Sequence, residues 1–182
     1  MPLERLWAGW RSDYLQSVTG APTADTSTER CVFCRILASG DPDEATYVVW
    51  RGERCFAVLN AYPYASGHLL VLPYRHVGEL EELESDEATE VWDAVRSAVV
   101  AVKGAYRPDG LNVGANLGRA AGAGVPGHLH LHVLPRWAGD SNFVTSVAEA
   151  RVMPEALPTT YERLTAAWPE AAAGSSERPS GS

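Results

Sequence analysis

His128-Leu129-His130-Leu131-His132 places three of the chain's five histidines at alternate positions within an apolar run. An extended backbone turns successive side chains to opposite faces, so the spacing predicts a strand over 129–134 with its imidazoles on one face. The row would be about 13 Å long at ~3.3 Å per residue. From a straight strand, three rings that far apart would strain to reach one ion. A three-histidine zinc site therefore fits poorly, and separate tasks for the three rings fit better.

The ten residues before the row, Gly118-Arg119-Ala120-Ala121-Gly122-Ala123-Gly124-Val125-Pro126-Gly127, form a glycine-rich turn. Turns of this kind let backbone N–H groups approach an anion unhindered by side chains. A phosphate held there would lie beside His130, and a neutral imidazole can attack phosphorus to form a phosphoramidate. Which ring nitrogen attacks is set by the hydrogen bond made by the other one.

Further out, Leu111–Leu117 reads as the strand before the turn. Tyr47–Leu59 reads as a hairpin turning at Arg51-Gly52-Glu53, and Leu69–Leu72 as a buried strand closed by Pro73. Ser85, followed by Asp86 and Glu87, reads as an N-cap, with Val91, Val95, Val99 and Val102 forming a helical stripe behind it. A last helix is expected over Pro154–Trp168, and an amphipathic one over residues 3–15, where Leu3, Leu6, Trp7, Trp10, Tyr14 and Leu15 recur at helical intervals. Successive strands joined by short turns indicate an antiparallel α+β fold of about five strands with flanking helices. The expected organisation is an N-terminal helix and linker over 1–30, a catalytic domain with a C-terminal helix over 31–168, and a disordered tail over 169–182.

With 182 residues the chain suits one core. Its net charge of −8 argues against coating long nucleic acid, which needs many cationic phosphate contacts. Lys103 is the only lysine among 15 basic residues, so cationic phosphate contacts fall to arginine, and Arg75, Arg119 and Arg136 lie near the motifs. No apolar run suggests a membrane span, and the start Met1-Pro2-Leu3-Glu4-Arg5 is unlike a secretory signal, so a cytoplasmic location is expected. Cys31-Val32-Phe33-Cys34 has the spacing of a metal knuckle or a redox pair, with metal the first choice. Cys55, inside a predicted strand, reads as a small buried apolar residue.

Asn116-Leu117-Gly118, Ala121-Gly122 and His128-Leu129-His130-Leu131-His132-Val133-Leu134-Pro135-Arg136 together resemble the signature of the histidine-triad family of nucleotide hydrolases and nucleotidyltransferases. Upstream, Cys31–Cys34, the hairpin ending Leu59-Asn60, and the stretch Tyr62-Pro63-Tyr64-Ala65-Ser66-Gly67-His68 through Pro73 stand in family order. The resemblance covers about residues 31–136. Arg5-Leu6-Trp7, Pro135-Arg136-Trp137 and Gly139-Asp140-Ser141-Asn142-Phe143 resemble the family's phosphorylase branch, which acts on diadenosine tetraphosphate.

The resemblance implies the histidine-triad fold, with His130 as nucleophile, His132 and Asn116 near the reacting phosphate, and Asn60 close to the ribose. Ile36 and Leu59 would line a base pocket, although both read equally as core residues, and Asn60 also suits a turn cap. Gly122, Ala123, Gly124, Arg136 and Trp137 are the remaining substrate-binding candidates. In zinc-bearing relatives the corresponding ligands match Cys31, Cys34, His76 and His128; the alternative is a pair of reduced thiols beside His76. At least a homodimer with joined sheets is also implied.

Many hydrolases of the family carry glutamine and then serine or threonine after the Ala-Gly pair, where this chain has Ala123 and Gly124. That departure favours inorganic phosphate over water as acceptor. Phosphorolysis of a dinucleoside polyphosphate, hydrolysis of a phosphoramidate or similar conjugate, and nucleotide binding with negligible turnover are the readings left open.

Overall fold

The computed structural model describes residues 28–140 and 155–169. The expected helix over 3–15, most of its linker, residues 141–143 and the tail from 170 lie outside them. Five strands form one antiparallel sheet in the order β1-β2-β3-β5-β4: β1 Val48–Arg51, β2 Cys55–Leu59, β3 Leu69–Pro73, β4 Gly110–Ala115 and β5 Leu131–Arg136. Helix α1 (Val32–Ala38) lies on one face. The other face carries α3 (Ser85–Tyr106) and α4 (Leu157–Ala167), and a short α2 (Asp43–Thr46) precedes β1.

The two-residue period of the strands divides the core. Cys55, Ala57, Leu59, Leu69, Val71, Leu131 and Val133 pack against Val91, Ala94, Val95, Ala98, Ala101 and Val102 of α3 and Leu164 of α4. Phe56, Val58, Leu70 and Leu72 face the other way, onto Cys31 and Phe33 at the start of α1. The valine stripe was therefore a correct guide to the buried face of α3, and Cys55 is fully buried as expected.

The last helix runs Leu157–Ala167 rather than Pro154–Trp168, and three other boundary differences bear on the site. β5 starts at Leu131, so His128 and His130 precede the strand and only His132 lies within it. The ladder stops there because the Pro73 carbonyl accepts from the His128 ring, while the Leu129 N–H turns away to the Val77 carbonyl (2.6 Å). β4 correspondingly ends at Ala115, opposite Leu131, and leaves Asn116 beyond the paired region. The N-cap of α3 is Glu84, not Ser85: Glu84 has extended dihedrals and forms a reciprocal capping box with Glu87. No helix among the described residues is long and apolar enough to cross a membrane.

Candidate active site

All five histidines of the chain converge where β3 and β5 meet the start of α1. They form two adjoining groups. His76 and His128 lie with Cys31 and Cys34, and all four ligand atoms fall within 4.8 Å of one another. His68, His130 and His132 form the second group, with ring centroids 5.2 Å apart for His130 and His132 and 5.1 Å for His68 and His132. Phe33 touches both groups, its ring 5.4 Å from those of His128 and His130.

In the first group Cys31 is the residue before α1 and Cys34 lies in its first turn, so three residues of helical rise bring both thiols to one side. The His128 Nδ1 lies 3.4 Å from Cys31 Sγ and 3.6 Å from Cys34 Sγ, and His76 Nδ1 lies 3.3 Å from Cys34 Sγ. A tetrahedral zinc ion with ordinary bond lengths has an S···N edge of about 3.6 Å, so the quartet fits a divalent ion of that kind. The tautomer also fits. His128 Nε2–H donates to the Pro73 carbonyl (2.9 Å), which leaves the Nδ1 lone pair facing the thiols. Burial, followed by the neighbouring Cys31, pushes the Cys34 thiol up to about 11, and a cation is the usual means of holding such a pair as thiolates.

In the second group, hydrogen bonds assign a proton to each ring. His130, 7% exposed, donates from Nδ1 to the His128 carbonyl (2.8 Å), leaving a lone pair on Nε2. The Tyr64 N–H donates to His68 Nδ1 (3.2 Å), so neutral His68 carries its proton on Nε2 and donates it to His132 Nδ1 (2.9 Å). Neutral His132 must then carry its own proton on Nε2, a buried atom without a protein partner among the described residues. Burial lowers the pKa of His130, and it pushes His132 down to about 4, so both rings are neutral near pH 7. A lone pair on one ring thus adjoins an unused N–H on the next.

The sequence motifs contained His68 without assigning it a task. The structure makes it the hub, 1% exposed, 3.4 Å from the Asn60 amide and under the Tyr64 ring at 4.8 Å. Its loop is tightly held: Gly67 has φ +82°, and a Cβ there would come within 2.8 Å of the Tyr106 ring. His68→Ala should lower unfolding free energy by about 1–3 kcal/mol, because it strips His132 Nδ1 of its donor in a buried setting. Urea denaturation measures this, and an unchanged midpoint would count against a stabilising His68–His132 hydrogen bond.

The other candidates are dispersed. Asn60 caps its own turn, accepting from the Tyr62 N–H (3.0 Å), while also facing His68. Leu59 is buried in the α3 side of the core whereas Ile36 packs on the α1 side, so the two do not face each other across one pocket. Arg136 and Trp137 lie at the far end of β5, about 13 Å or more along the chain from His132. There Arg136 is held by Asp140 (2.7 Å) and Asn112 (3.0 Å). Within the glycine turn, Gly122 N–H and Ala123 N–H bond to the Arg119 and Gly118 carbonyls, so neither is aimed outward at an anion.

An antiparallel sheet with a row of neutral imidazoles at the entry to one strand defines a class of histidine-centred α+β proteins. Residues 42–139 match the HIT domain model, and the chain belongs to the HIT, or histidine-triad, family. It is 42% identical over 168 residues to a protein named AP-4-A phosphorylase from Mycobacterium tuberculosis (strain CDC 1551 / Oshkosh), spanning 91% of this chain and 85% of that one. A Zn-bound histidine triad family protein from Mycobacterium smegmatis shares the fold, with a TM-score of 0.62 and 28% identity over 78% of this chain and 95% of the other. A hypothetical histidine triad nucleotide-binding protein from Sulfolobus tokodaii does so with a TM-score of 0.62 and 30% identity, over 75% and 91%.

Proposed function

We propose that the chain is a cytoplasmic nucleotidyltransferase that cleaves dinucleoside polyphosphates, diadenosine tetraphosphate among them, by phosphorolysis through a nucleotidyl-His130 intermediate. The observation that carries the reading is the complementary protonation of neighbouring rings, a free Nε2 lone pair on His130 beside an unpartnered Nε2–H on His132. His130 Nε2 attacks the α-phosphorus, and the bond to the bridging oxygen breaks. Its electron pair leaves with the nucleoside polyphosphate, which departs as its anion, while His132 keeps its proton and donates a hydrogen bond from Nε2–H to the reacting phosphate. An oxygen of inorganic phosphate then attacks the same phosphorus, the N–P bond returns its pair to Nε2, and a nucleoside diphosphate departs. Asn116, just past the end of β4, would help to hold the reacting phosphate.

The similarity to AP-4-A phosphorylase supports phosphate as the acceptor, as do Ala123 and Gly124, which offer no amide or hydroxyl to guide water. The hydrolase reading is the alternative. Isotope labelling separates the two: in 18O-water with ordinary phosphate, label-free ADP supports phosphorolysis, whereas AMP carrying 18O on its phosphorus supports hydrolysis.

Zinc is the proposed ion for Cys31, Cys34, His76 and His128, where it would tie α1 to the segment carrying the reactive histidines. Elemental analysis should find about one zinc per chain, and removing it should lower the melting temperature. Metal-free protein of unchanged stability would sink the assignment. The exposed outer edge of β4 suits the proposed joining of two sheets in at least a homodimer.

A further inference from the structure

Glu87 is the only buried carboxylate among the described residues, at 3% exposure. Capping α3 does not require that burial, since Glu82 performs the same duty for the 3-10 turn Leu80–Glu82 from an exposed position. Placing a carboxylate in the interior is costly unless its partners are well arranged. Here the partner is Arg75, whose Nε and Nη2 meet Glu87 Oε1 and Oε2 at 3.2 and 2.6 Å in a bidentate fork. Arg75 Nη2 also donates to the Glu82 carbonyl at 2.7 Å.

Arg75 immediately precedes His76. The turn that presents His76 is therefore fastened on one side to the start of α3. On the other side, the Val77 carbonyl accepts from Leu129 N–H, next to His128. Gly78 closes the turn against the glycine-rich segment so tightly that a Cβ there would come within 2.8 Å of the Pro126 carbonyl oxygen. Between these fastenings His76 reaches 3.3 Å from Cys34 Sγ, its ring nearly perpendicular to that of His128.

We infer that the Arg75–Glu87 pair is a positioning device for the fourth ligand of the Cys31, Cys34, His76 and His128 quartet and sets its affinity for a divalent metal ion. The inference rests on reading the quartet as a metal site. Because binding and preorganisation are linked, an ion bound at His76 would in turn steady the start of α3.

The test uses the full chain and zinc alone as probe, measuring release of bound zinc to an excess of chromogenic chelator. Glu87→Gln should release zinc about tenfold faster than wild type, the lower end of the effect of losing a ligand's direct outer partner, because Glu87 acts through Arg75. In the cobalt-loaded protein the thiolate charge-transfer band should persist while the visible ligand-field bands change, because the cysteines stay and His76 loosens. Pairing the change with Arg75→Gln should add little, since the two act as a unit. Should Glu87→Gln fail to fold, Arg75→Lys, which keeps the charge but loses the fork, should also speed release. Wild-type release with an unchanged cobalt spectrum in the folded variant overturns the inference while leaving the metal site standing. A wild-type chain that takes up no metal overturns both.

Discussion

Replacing His130 with alanine is expected to lower turnover of diadenosine tetraphosphate by on the order of ten-thousand-fold or more, the scale on which loss of a covalent nucleophile is felt. Nucleotide affinity should stay within about tenfold, because most binding contacts lie away from the reacting atom. The reason is positional. His130 is held by its Nδ1–H bond to the His128 carbonyl and by the Phe33 ring, so its lone pair is aimed rather than mobile. His132 cannot replace it, since its Nδ1 is occupied by His68 and its Nε2 carries the proton. Single-turnover reaction with labelled substrate should also lose the protein-bound label, while equilibrium titration still reports binding. Near-normal turnover in a folded His130→Ala protein would reject covalent catalysis at this residue.

The parts of this arrangement carried by local patterns could be read from the chain alone. Alternation marked the strands and the valine spacing marked the buried side of α3, while the CxxC pair marked two ligands of the quartet and the family resemblance supplied the two histidines. What escaped depends on contacts between distant residues. The start of β5 is fixed by Pro73, a residue 58 positions before Leu131 in the numbering, whose carbonyl is diverted to the His128 ring. The seven-residue α1 has no side-chain cap, and its start is marked by two cysteines, at the N-cap and in the first turn, that also read as ligands. Leu59 and Ile36 are both apolar, and only the fold reveals that Leu59 joins the α3 side of the core while Ile36 packs on the α1 side. His68 was visible within its motif, but its link to His132 spans 64 residues. Arg136 is a cation in the sequence, yet in the fold Asp140 already neutralises it.

That last point narrows how a second anion could enter the site, and it leads to the expectation that inorganic phosphate is required for turnover. In the proposed mechanism the nucleotide would sit on His130 after the first step and its phosphoryl oxygens would repel an incoming phosphate, so the acceptor site must offer positive charge or fixed donors. Arg136 is paired, and the N–H groups of Gly122 and Ala123 are used inside their own turn. Arg119 opens that turn and has no salt bridge among the described residues, which leaves its guanidinium available to a tetrahedral anion. Water has less help, because neither the buried methyl of Ala123 nor Gly124 offers a side-chain amide or hydroxyl to orient it against phosphorus. Omitting phosphate should therefore slow consumption of diadenosine tetraphosphate by roughly hundredfold or more, comparable to losing a preorganised donor set. With phosphate present the products should be ADP and ATP in equal amounts, and the rate should saturate as phosphate is raised. Equal rates with and without phosphate, accompanied by AMP, would assign the second step to water and make the chain a hydrolase.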